Sequence, residues 1–246
     1  MGQVIAVTSG KGGTGKTSLT AGVASCLAAL DKKVLCVDMD IGLRNLDLSL
    51  GLTDRVLMDF TDVASGRCTL QRAAVEHPSI PGLFLITAPL DLSALELGEE
   101  RFRAFLEEAR TLFDFILLDA PAGLGPGFRL ASCGADRGVV VCTSDASSLR
   151  DAQRAVAELK HLGTVQLVVN RVQVKLLKRL RTTIDDAMDT AGLPLLGVVP
   201  EDETVTLAAN FDTPLVLMSH KGAALACLNI ARRILGQRVP IMRIRR

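Results

Sequence analysis

A glycine-rich segment near the N-terminus limits the possible folds of this chain more than any other feature of the sequence. Residues 10–18 read Gly-Lys-Gly-Gly-Thr-Gly-Lys-Thr-Ser and fit the phosphate-loop pattern, in which a glycine, four residues and a glycine precede Lys and Ser or Thr. The apolar run Val4–Val7 comes before the segment, and apolar residues recur at helical spacing over Thr17–Leu30. A strand, a tight loop and a helix in this order predict a site for phosphate groups.

Each residue type in this loop has a physical reason to be there. Glycines allow a sharp turn and bring backbone N–H groups close to phosphate oxygens. Lys16 supplies a positive charge for the terminal phosphates, and the hydroxyl of Thr17 is a suitable ligand for Mg²⁺. The predicted phosphate-binding residues are Gly10, Lys11, Gly12, Gly13, Thr14, Gly15, Lys16, Thr17 and Ser18.

A second lysine, Lys11, is not required by the phosphate-loop pattern. Its position at the edge of the loop leaves two interpretations open. Lys11 either contacts nucleotide bound in a second copy of the chain or is a solvated surface lysine, the usual state of a charged loop residue.

Composition excludes several other classes of protein. The chain has 246 residues, of which 48% are hydrophobic and 3% aromatic, so it can bury a large core that must be mainly aliphatic. The net charge of +1 argues against polyanion binding over the whole surface. Scattered cysteines without a Cys-x-x-Cys pair argue against disulfides or zinc. The same cysteine usage favours a reducing cytosol, and we find no signal-peptide pattern or membrane-spanning run, so we expect a cytoplasmic protein. The histidines are isolated from one another and from the cysteines, so we expect no metal other than Mg²⁺.

Apolar runs alternate with helical patterns along the chain, which predicts a doubly wound α/β fold. The runs are continuous, as is typical of a mostly parallel sheet with helices on both faces. The predicted strands are Val4–Thr8, Val34–Val37, Leu83–Thr87, Phe115–Leu118, Gly138–Cys142, Val165–Val169 and Leu195–Val199. We expect a single domain over residues 1–236 and a short basic tail, 237–246.

Polar residues follow several of these strands, on the edge of the sheet where ligands bind in such folds. Asp119 is typical of a carboxylate that holds Mg²⁺ through water, and Asp38 is placed to support Mg²⁺ or Lys16. Asp40 lies further out, where it can orient an attacking water, and the amide of Asn170 can read an adenine edge. For each residue alone, a solvated turn or helix cap is the simpler interpretation.

These motifs resemble the MinD/ParA family of ATPases. Lys11–Thr17 resembles the deviant phosphate-loop signature of that family, and Asp38–Asp47 resembles its MinD branch more than its ParA branch. The resemblance extends from Val4 to about Pro240, and the flagellar-placement relative FlhG shares several of the motifs. Further segments that fit the family are Asp119–Gly123, Ser147–Asp151 and Pro200–Asp202.

The resemblance implies a P-loop NTPase fold of the SIMIBI type and a cycle in which ATP and Mg²⁺ close two subunits face to face. Lys11 of each subunit is then expected to reach the nucleotide of the other, and Asp40 to orient the hydrolytic water. Asp119 is expected to sense the γ-phosphate. The implied catalytic residues are Lys11, Lys16 and Asp40, the implied metal residues Thr17, Asp38 and Asp119, and the implied adenine-flanking residues Asn170, Pro200, Glu201 and Asp202.

The family also implies partners. The ATP-bound homodimer is expected to bind the inner face of the cell membrane and division regulators of the MinC and MinE type, and slow, partner-stimulated hydrolysis to release them. The helix opening at Ser147 is the expected partner-binding element, through Ser147, Ser148 and Asp151. Ser148 and Asp151 also fit a local capping box. The preceding residues, Ser144–Ala146, depart from the Asn-Pro-Glu usual in relatives.

The C-terminus departs most from the family. Ala223–Leu235 predicts a final packed helix that stops at Gly236, and Pro240 interrupts the short amphipathic membrane helix usual in relatives. The remaining basic and apolar residues, including Arg238, suit contact with anionic lipid, and a frayed or shortened terminus is the alternative.

A basic stretch, Lys175–Arg181, leaves a different function open. Its leucines recur at helical spacing up to Ile184, which predicts one amphipathic helix with a solvated basic face, and a patch for the DNA backbone is the alternative. We therefore weigh a membrane-cycling switch that places the division septum against a partition ATPase that binds DNA and a flagellar-placement ATPase. An iron–sulfur scaffold lacks its cysteine pair, and a nucleotide-bound adaptor would not need Asp40.

Overall fold

A computed structural model describes residues 1–53, 55, 57–90, 97–242 and 244 of the chain, and in this part eight strands form one sheet. The strands are β1 (Gln3–Thr8), β2 (Val34–Asp38), β3 (Val75–Glu76), β4 (Leu83–Ile86), β5 (Phe115–Asp119), β6 (Arg137–Cys142), β7 (Thr164–Val172) and β8 (Leu195–Pro200). Their order in the sheet is β3-β4-β2-β5-β1-β6-β7-β8. All strands pair in parallel except β3, which pairs antiparallel to β4 at one edge.

Helices cover both faces of the sheet, which confirms the predicted doubly wound α/β class. They are α1 (Lys16–Ala28), α2 (Leu46–Leu50), α3 (Phe60–Ala64), α4 (Leu70–Ala73), α5 (Glu99–Leu112), α6 (Pro126–Cys133), α7 (Ala146–Glu158), α8 (Val174–Leu180), α9 (Ile184–Ala191), α10 (Glu203–Asn210), α11 (Leu215–Met218) and α12 (Gly222–Ile234).

The side chains of successive residues in a strand pack in opposite layers of the core, because they point alternately to the two faces of the sheet. On β1, Ile5 and Val7 pack in the layer that contains α1 and α12, whereas Val4 packs in the opposite layer with α5. The other half of that opposite layer is formed by α7 and α9 against β6, β7 and β8. The continuous apolar runs are therefore strands that are buried on both sides, as the sequence predicts.

Two predictions of secondary structure are wrong. The sequence analysis missed β3, because a strand of two residues is too short to show an alternating or continuous apolar pattern. The basic stretch forms two helices rather than one. Arg181 adopts a left-handed conformation with φ 52° and ends α8. Thr183 then caps α9 in a reciprocal capping box with Asp186.

Contacts at Val239, Pro240 and Met242 hold the tail near the edge strand β8. The guanidinium of Arg233 donates to the carbonyl of Leu196 on β8 at 2.7 Å and to the carbonyls of Val239 and Pro240 at 3.0 and 2.6 Å. Met242 packs against the layer of α1 and α12. Of the predicted lipid-contacting arginines, those at 243, 245 and 246 lie outside the described residues. No helix in the described part of the chain is both long and apolar enough to cross a bilayer.

Phe102 provides a test of the aromatic part of this core. Its ring lies 5.8 Å from the ring of Phe60 and 5.7 Å from that of Phe105, and it is fully buried. We expect Phe102→Ala to lower the free energy of unfolding by about 3–5 kcal/mol, because it removes apolar burial and leaves a cavity. Urea denaturation of Phe211→Ala is the matched control. Phe211 is 66% exposed, so its loss should cost less than about 1 kcal/mol. Equal losses in the two variants would contradict this account of the core.

Candidate nucleotide-binding site

The predicted phosphate loop joins β1 to α1 and has the backbone that its glycines permit. Gly13 and Gly15 adopt positive φ angles of 76° and 79°, which favour glycine. Gly15 is the N-cap of α1 and has no side chain to occupy the first N–H groups of the helix. These N–H groups and the positive end of the helix dipole therefore face the loop. The loop is an anion site of the kind that binds phosphate.

A buried ion pair lies behind the loop. Lys16 Nζ is 3.0 Å from Asp119 Oδ1, and the two side chains are 7% and 1% exposed. The hydroxyl of Thr20 donates to the same carboxylate oxygen at 3.1 Å. The other oxygen, Asp119 Oδ2, is buried and has no hydrogen-bond partner in the part of the chain that the structure describes. Such an oxygen is costly to bury, so its position indicates a ligand or water that the protein is built to receive.

Asp38 is the neighbour of Asp119 in the sheet, and both carboxylates are buried. Asp38 Oδ1 accepts a hydrogen bond from the backbone N–H of Asp40 at 2.9 Å, and Oδ2 accepts from the N–H groups of Asn45 and Leu46. Burial, together with the charge of Asp119, raises the pKa of Asp38 to about 6. Asp38 thus fixes the segment from Asp40 to the start of α2, and its role toward metal stays a prediction.

Asp40 lies at the mouth of the loop, as its position in the sequence predicts. It lines a cavity of about 340 Å³ together with the residues of the phosphate loop and with Asn45. Burial raises the pKa of Asp40, against the lowering effect of Lys16. The structure therefore brings this carboxylate and Lys16 to one cavity.

A second cavity, of about 210 Å³, adjoins the first, since Gly15 and Ser18 line both. Asn170 lines the second cavity together with Gly15. The side-chain Nδ2 of Asn170 donates to the carbonyl of Thr14 at 2.8 Å, so the NH₂ group of this amide is already hydrogen-bonded to the phosphate loop. Asn170 and Pro200–Asp202 all line the second cavity, so the structure brings the predicted adenine-flanking residues together.

The acidic side chains of this group mainly hold the walls of the cavity. Asp202 caps α10 through the N–H of Thr204 at 3.0 Å and also accepts from the N–H of Ala223 in α12 at 2.9 Å. Glu201 pairs with Arg171, whose guanidinium also donates to the carbonyl of Gly13 in the phosphate loop at 3.2 Å. Sequence reasoning missed Arg171, although its place directly after Asn170 at the end of a strand was a usable signal.

Lys11 is not a free surface lysine in the single chain. Its Nζ is 3.0 Å from Asp145 Oδ1 and 2.9 Å from Ser147 Oγ. Burial opposes ionisation of Asp145, yet hydrogen bonds from Thr143, Ser147 and the N–H of Ser148 hold the pKa of this carboxyl well below its usual range. The N-terminus of α7 is thereby attached to the outer edge of the phosphate loop.

This arrangement corrects the predicted cap of α7. Asp145, rather than Ser148, is the N-cap, because its carboxylate accepts from the N–H of Ser148 at 3.0 Å. The hydroxyl of Ser148 accepts from the N–H of Thr143 instead, and Ser148 is 2% exposed. Ser147 is exposed and Asp151 is partly buried. Of the three residues predicted to bind partners, Ser147 is therefore the most accessible.

The loop, the buried Lys16–Asp119 pair and the joined cavities at the carboxyl ends of parallel strands define a P-loop nucleotide-binding protein. The family described as the CobQ/CobB/MinD/ParA nucleotide binding domain matches residues 5–215. The chain belongs to this family and, within it, to the MinD septum site-determining proteins.

Several relatives support that assignment over nearly the whole chain. MinD of Bacillus subtilis is 39% identical and MinD of a Synechocystis strain 37% identical, each match covering 98% of this chain and 92% of the relative. The MinC:MinD cell division protein complex of Aquifex aeolicus contains a chain that is 36% identical with a TM-score of 0.89, and the match covers 98% of both chains. A ParA family ATPase of Chlorobium tepidum, 21% identical with a TM-score of 0.81, shares the fold.

The Lys16–Asp119 pair leads to a test without nucleotide. We expect Lys16→Met to lower the free energy of unfolding by about 3 kcal/mol, because it leaves a buried carboxylate without its cation. The double variant Lys16→Met/Asp119→Leu should recover most of that loss, because it removes the uncompensated charge. Urea denaturation of the two variants decides between this account and a simple loss of packing, in which the double variant would be the less stable of the two.

Proposed function

We propose that this chain is a slow, partner-stimulated ATP hydrolase that positions the division septum as a dimerising switch. The observation that carries the proposal is the phosphate loop with two differently placed lysines. Lys16 is buried beside Asp119, where it can serve the loop of its own chain, whereas Lys11 lies at the outer edge of the loop. The relatives named septum site-determining proteins cover nearly the whole chain and support septum placement over DNA partition or flagellar placement.

The residues present fit ATP with Mg²⁺. Asp38 and Asp119 are buried carboxylates on neighbouring strands, and the buried ammonium group of Lys16 pairs with Asp119 alone, so a cation would balance the remaining negative charge. Thr17 and Asp119 would hold Mg²⁺, with Asp38 behind them. The described residues contain no group of three acidic, His or Cys side chains around one metal position, so phosphates and water would supply the other ligands. MinD of Pyrococcus horikoshii is described as complexed with Mg-ADP.

Lys16 couples phosphate binding to metal binding. A phosphate that enters the loop competes with Asp119 for the ammonium group of Lys16. When Lys16 turns to the phosphate, Asp119 Oδ1 loses its cation and joins Oδ2 as an acceptor without a strong partner. Bound Mg²⁺ supplies charge neutralisation at the phosphates. Each ligand thus favours the binding of the other.

Asp40 is proposed to orient the attacking water. Its carboxylate lines the loop cavity, and the raised pKa makes it a better proton acceptor than an exposed aspartate. Asp38 holds the N–H of Asp40 and thereby fixes the position of this residue. Asp40 therefore acts from a segment that is already ordered.

The second cavity is proposed to hold the adenine. The donor side of the Asn170 amide is engaged with Thr14, which leaves its oxygen to accept from the exocyclic amino group of the base. Pro200, Glu201 and Asp202 contribute the wall and their backbone groups, because Glu201 and Asp202 use their carboxylates within the protein. The pocket is thus shaped by residues whose side chains do not have to rearrange.

The ATP-dependent homodimer is proposed to form through Lys11. To reach the nucleotide of a second copy, Lys11 must leave Asp145 and Ser147, so dimer formation changes the contacts at the start of α7. Ser147, Ser148 and Asp151 on α7 are the proposed site for MinC-type and MinE-type regulators, and the Aquifex aeolicus structure is described as a MinC:MinD complex. We place the dimer at the inner face of the cell membrane, held by its basic tail.

Sedimentation with anionic vesicles tests the membrane step. We expect binding with ATP and not with ADP, and weaker binding after removal of residues 243–246, which carry three arginines, because each basic residue near an anionic surface adds about 1 kcal/mol. Duplex DNA at the same salt is the parallel sample. ATP-dependent binding to DNA with none to vesicles would overturn septum placement in favour of partition.

Asp40→Ala tests the proposed hydrolysis. We expect its ATPase rate to fall by about 10²-fold or more, because the water loses its orienting carboxylate, while ATP still binds in the loop. Asp31→Ala is the matched control. Asp31 is exposed beyond the far end of α1, about 20 Å from the loop, so its rate should not change. An unchanged rate in Asp40→Ala would favour a nucleotide-bound adaptor instead.

A further inference from the structure

The short helix α8 presents an unusual outer face. None of its residues is buried, and only its inner side, through Leu177, packs against the apolar cluster beneath α7 and α9. At about 100° per residue, Lys175 and Arg179 lie nearly opposite Leu177, whereas Leu176 and Leu180 lie on one flank, about 100° and about 60° from it. These four residues form the outer face of α8. Leu176 and Leu180 are 38% and 49% exposed, and Lys175 and Arg179 stand beside them.

The cations of this segment are free of acidic partners. Lys175, Lys178, Arg179 and Arg181 form no ion pair with any residue that the structure describes, although Arg171 just before the helix is paired with Glu201. Asp186, an acidic residue nearby in sequence, accepts hydrogen bonds from the backbone and hydroxyl of Thr183. The cations of α8 therefore face solvent without an ion-pair partner among the described residues.

The helix and the tail both lie on the side of the sheet that ends in β8. α8 connects β7 to the edge strand β8, and Arg233 holds the tail near that strand. Leu177 of α8 and Ile244 of the tail pack against the same apolar cluster. Ile241 in the tail is also 43% exposed. Exposed basic and apolar side chains thus occur in both elements on this side of the sheet.

We propose that the outer face of α8 is a second contact with an anionic lipid bilayer, beside the tail. The inference rests on the proposed membrane step. The cations match lipid phosphates, and Leu176 and Leu180 match the acyl boundary below the headgroups. The phosphate backbone of DNA would pair with the cations but would leave both leucines in water. In a dimer, two such faces and two tails act together, which compensates for the absence of a long amphipathic helix in the described part of the tail.

The test uses the full chain with ATP and vesicles that contain phosphatidylglycerol. We expect Lys175→Gln/Lys178→Gln/Arg179→Gln to need about tenfold more lipid, or greater, for half-maximal binding. The matched control is Arg101→Gln/Lys160→Gln/Lys221→Gln, which changes the net charge equally at exposed cations without ion pairs in the described chain. Leu176→Ser/Leu180→Ser should also weaken binding although it alters no charge.

The outcomes separate this inference from the proposed function. Equal vesicle binding by the α8 charge variant and the control would overturn the role of α8 while leaving the membrane switch intact. Absence of nucleotide-dependent vesicle binding by the unaltered chain would overturn both. Binding to duplex DNA that is lost in the charge variant, together with vesicle binding that is unaffected, would assign α8 to nucleic acid. Unchanged urea denaturation and ATPase rates without vesicles show that the variants fold.

Discussion

The contact between Lys16 and Asp119 is the interaction on which the rest of the site depends. It joins the phosphate loop after β1 to the end of β5, the neighbouring strand, and it lies where water cannot screen it. Asp38 adds a second buried carboxylate from β2 on the other side of β5, so this centre of the sheet holds more negative than positive charge. The excess of negative charge favours the binding of a cation at this centre.

The carboxylates around this centre divide into two groups with different uses. Asp38, Asp145 and Asp202 accept hydrogen bonds from backbone N–H groups and so fix loops and helix starts. Asp40 and Asp119 retain oxygens that face the cavity or lack a partner. The first group holds the shape in which the second group can act, which is why acidic residues concentrate at this edge of the sheet.

The strands and the phosphate loop were predictable because long apolar runs and glycine spacing are local signals. The N-cap of α7 was not predictable, because Asp145 and Ser148 are both good capping residues. Only the folded chain shows that the hydroxyl of Ser148 accepts from the N–H of Thr143, while the carboxylate of Asp145 accepts from the N–H of Ser148. The attachment of Lys11 to Asp145 was also beyond the sequence, because it joins residues 134 positions apart. The end of α8 depended on the left-handed conformation of Arg181, which a non-glycine residue rarely signals.

Through Arg233, the tail also has a structural role that does not involve nucleotide. β8 is the last strand of the sheet, and the unpaired edge of such a strand is a template for pairing with another chain. The guanidinium of Arg233 occupies the carbonyl of Leu196 on that edge and holds Val239 and Pro240 across it. The segment that carries the proposed lipid contact therefore also covers part of this edge, where it restricts pairing of β8 with a strand of another chain.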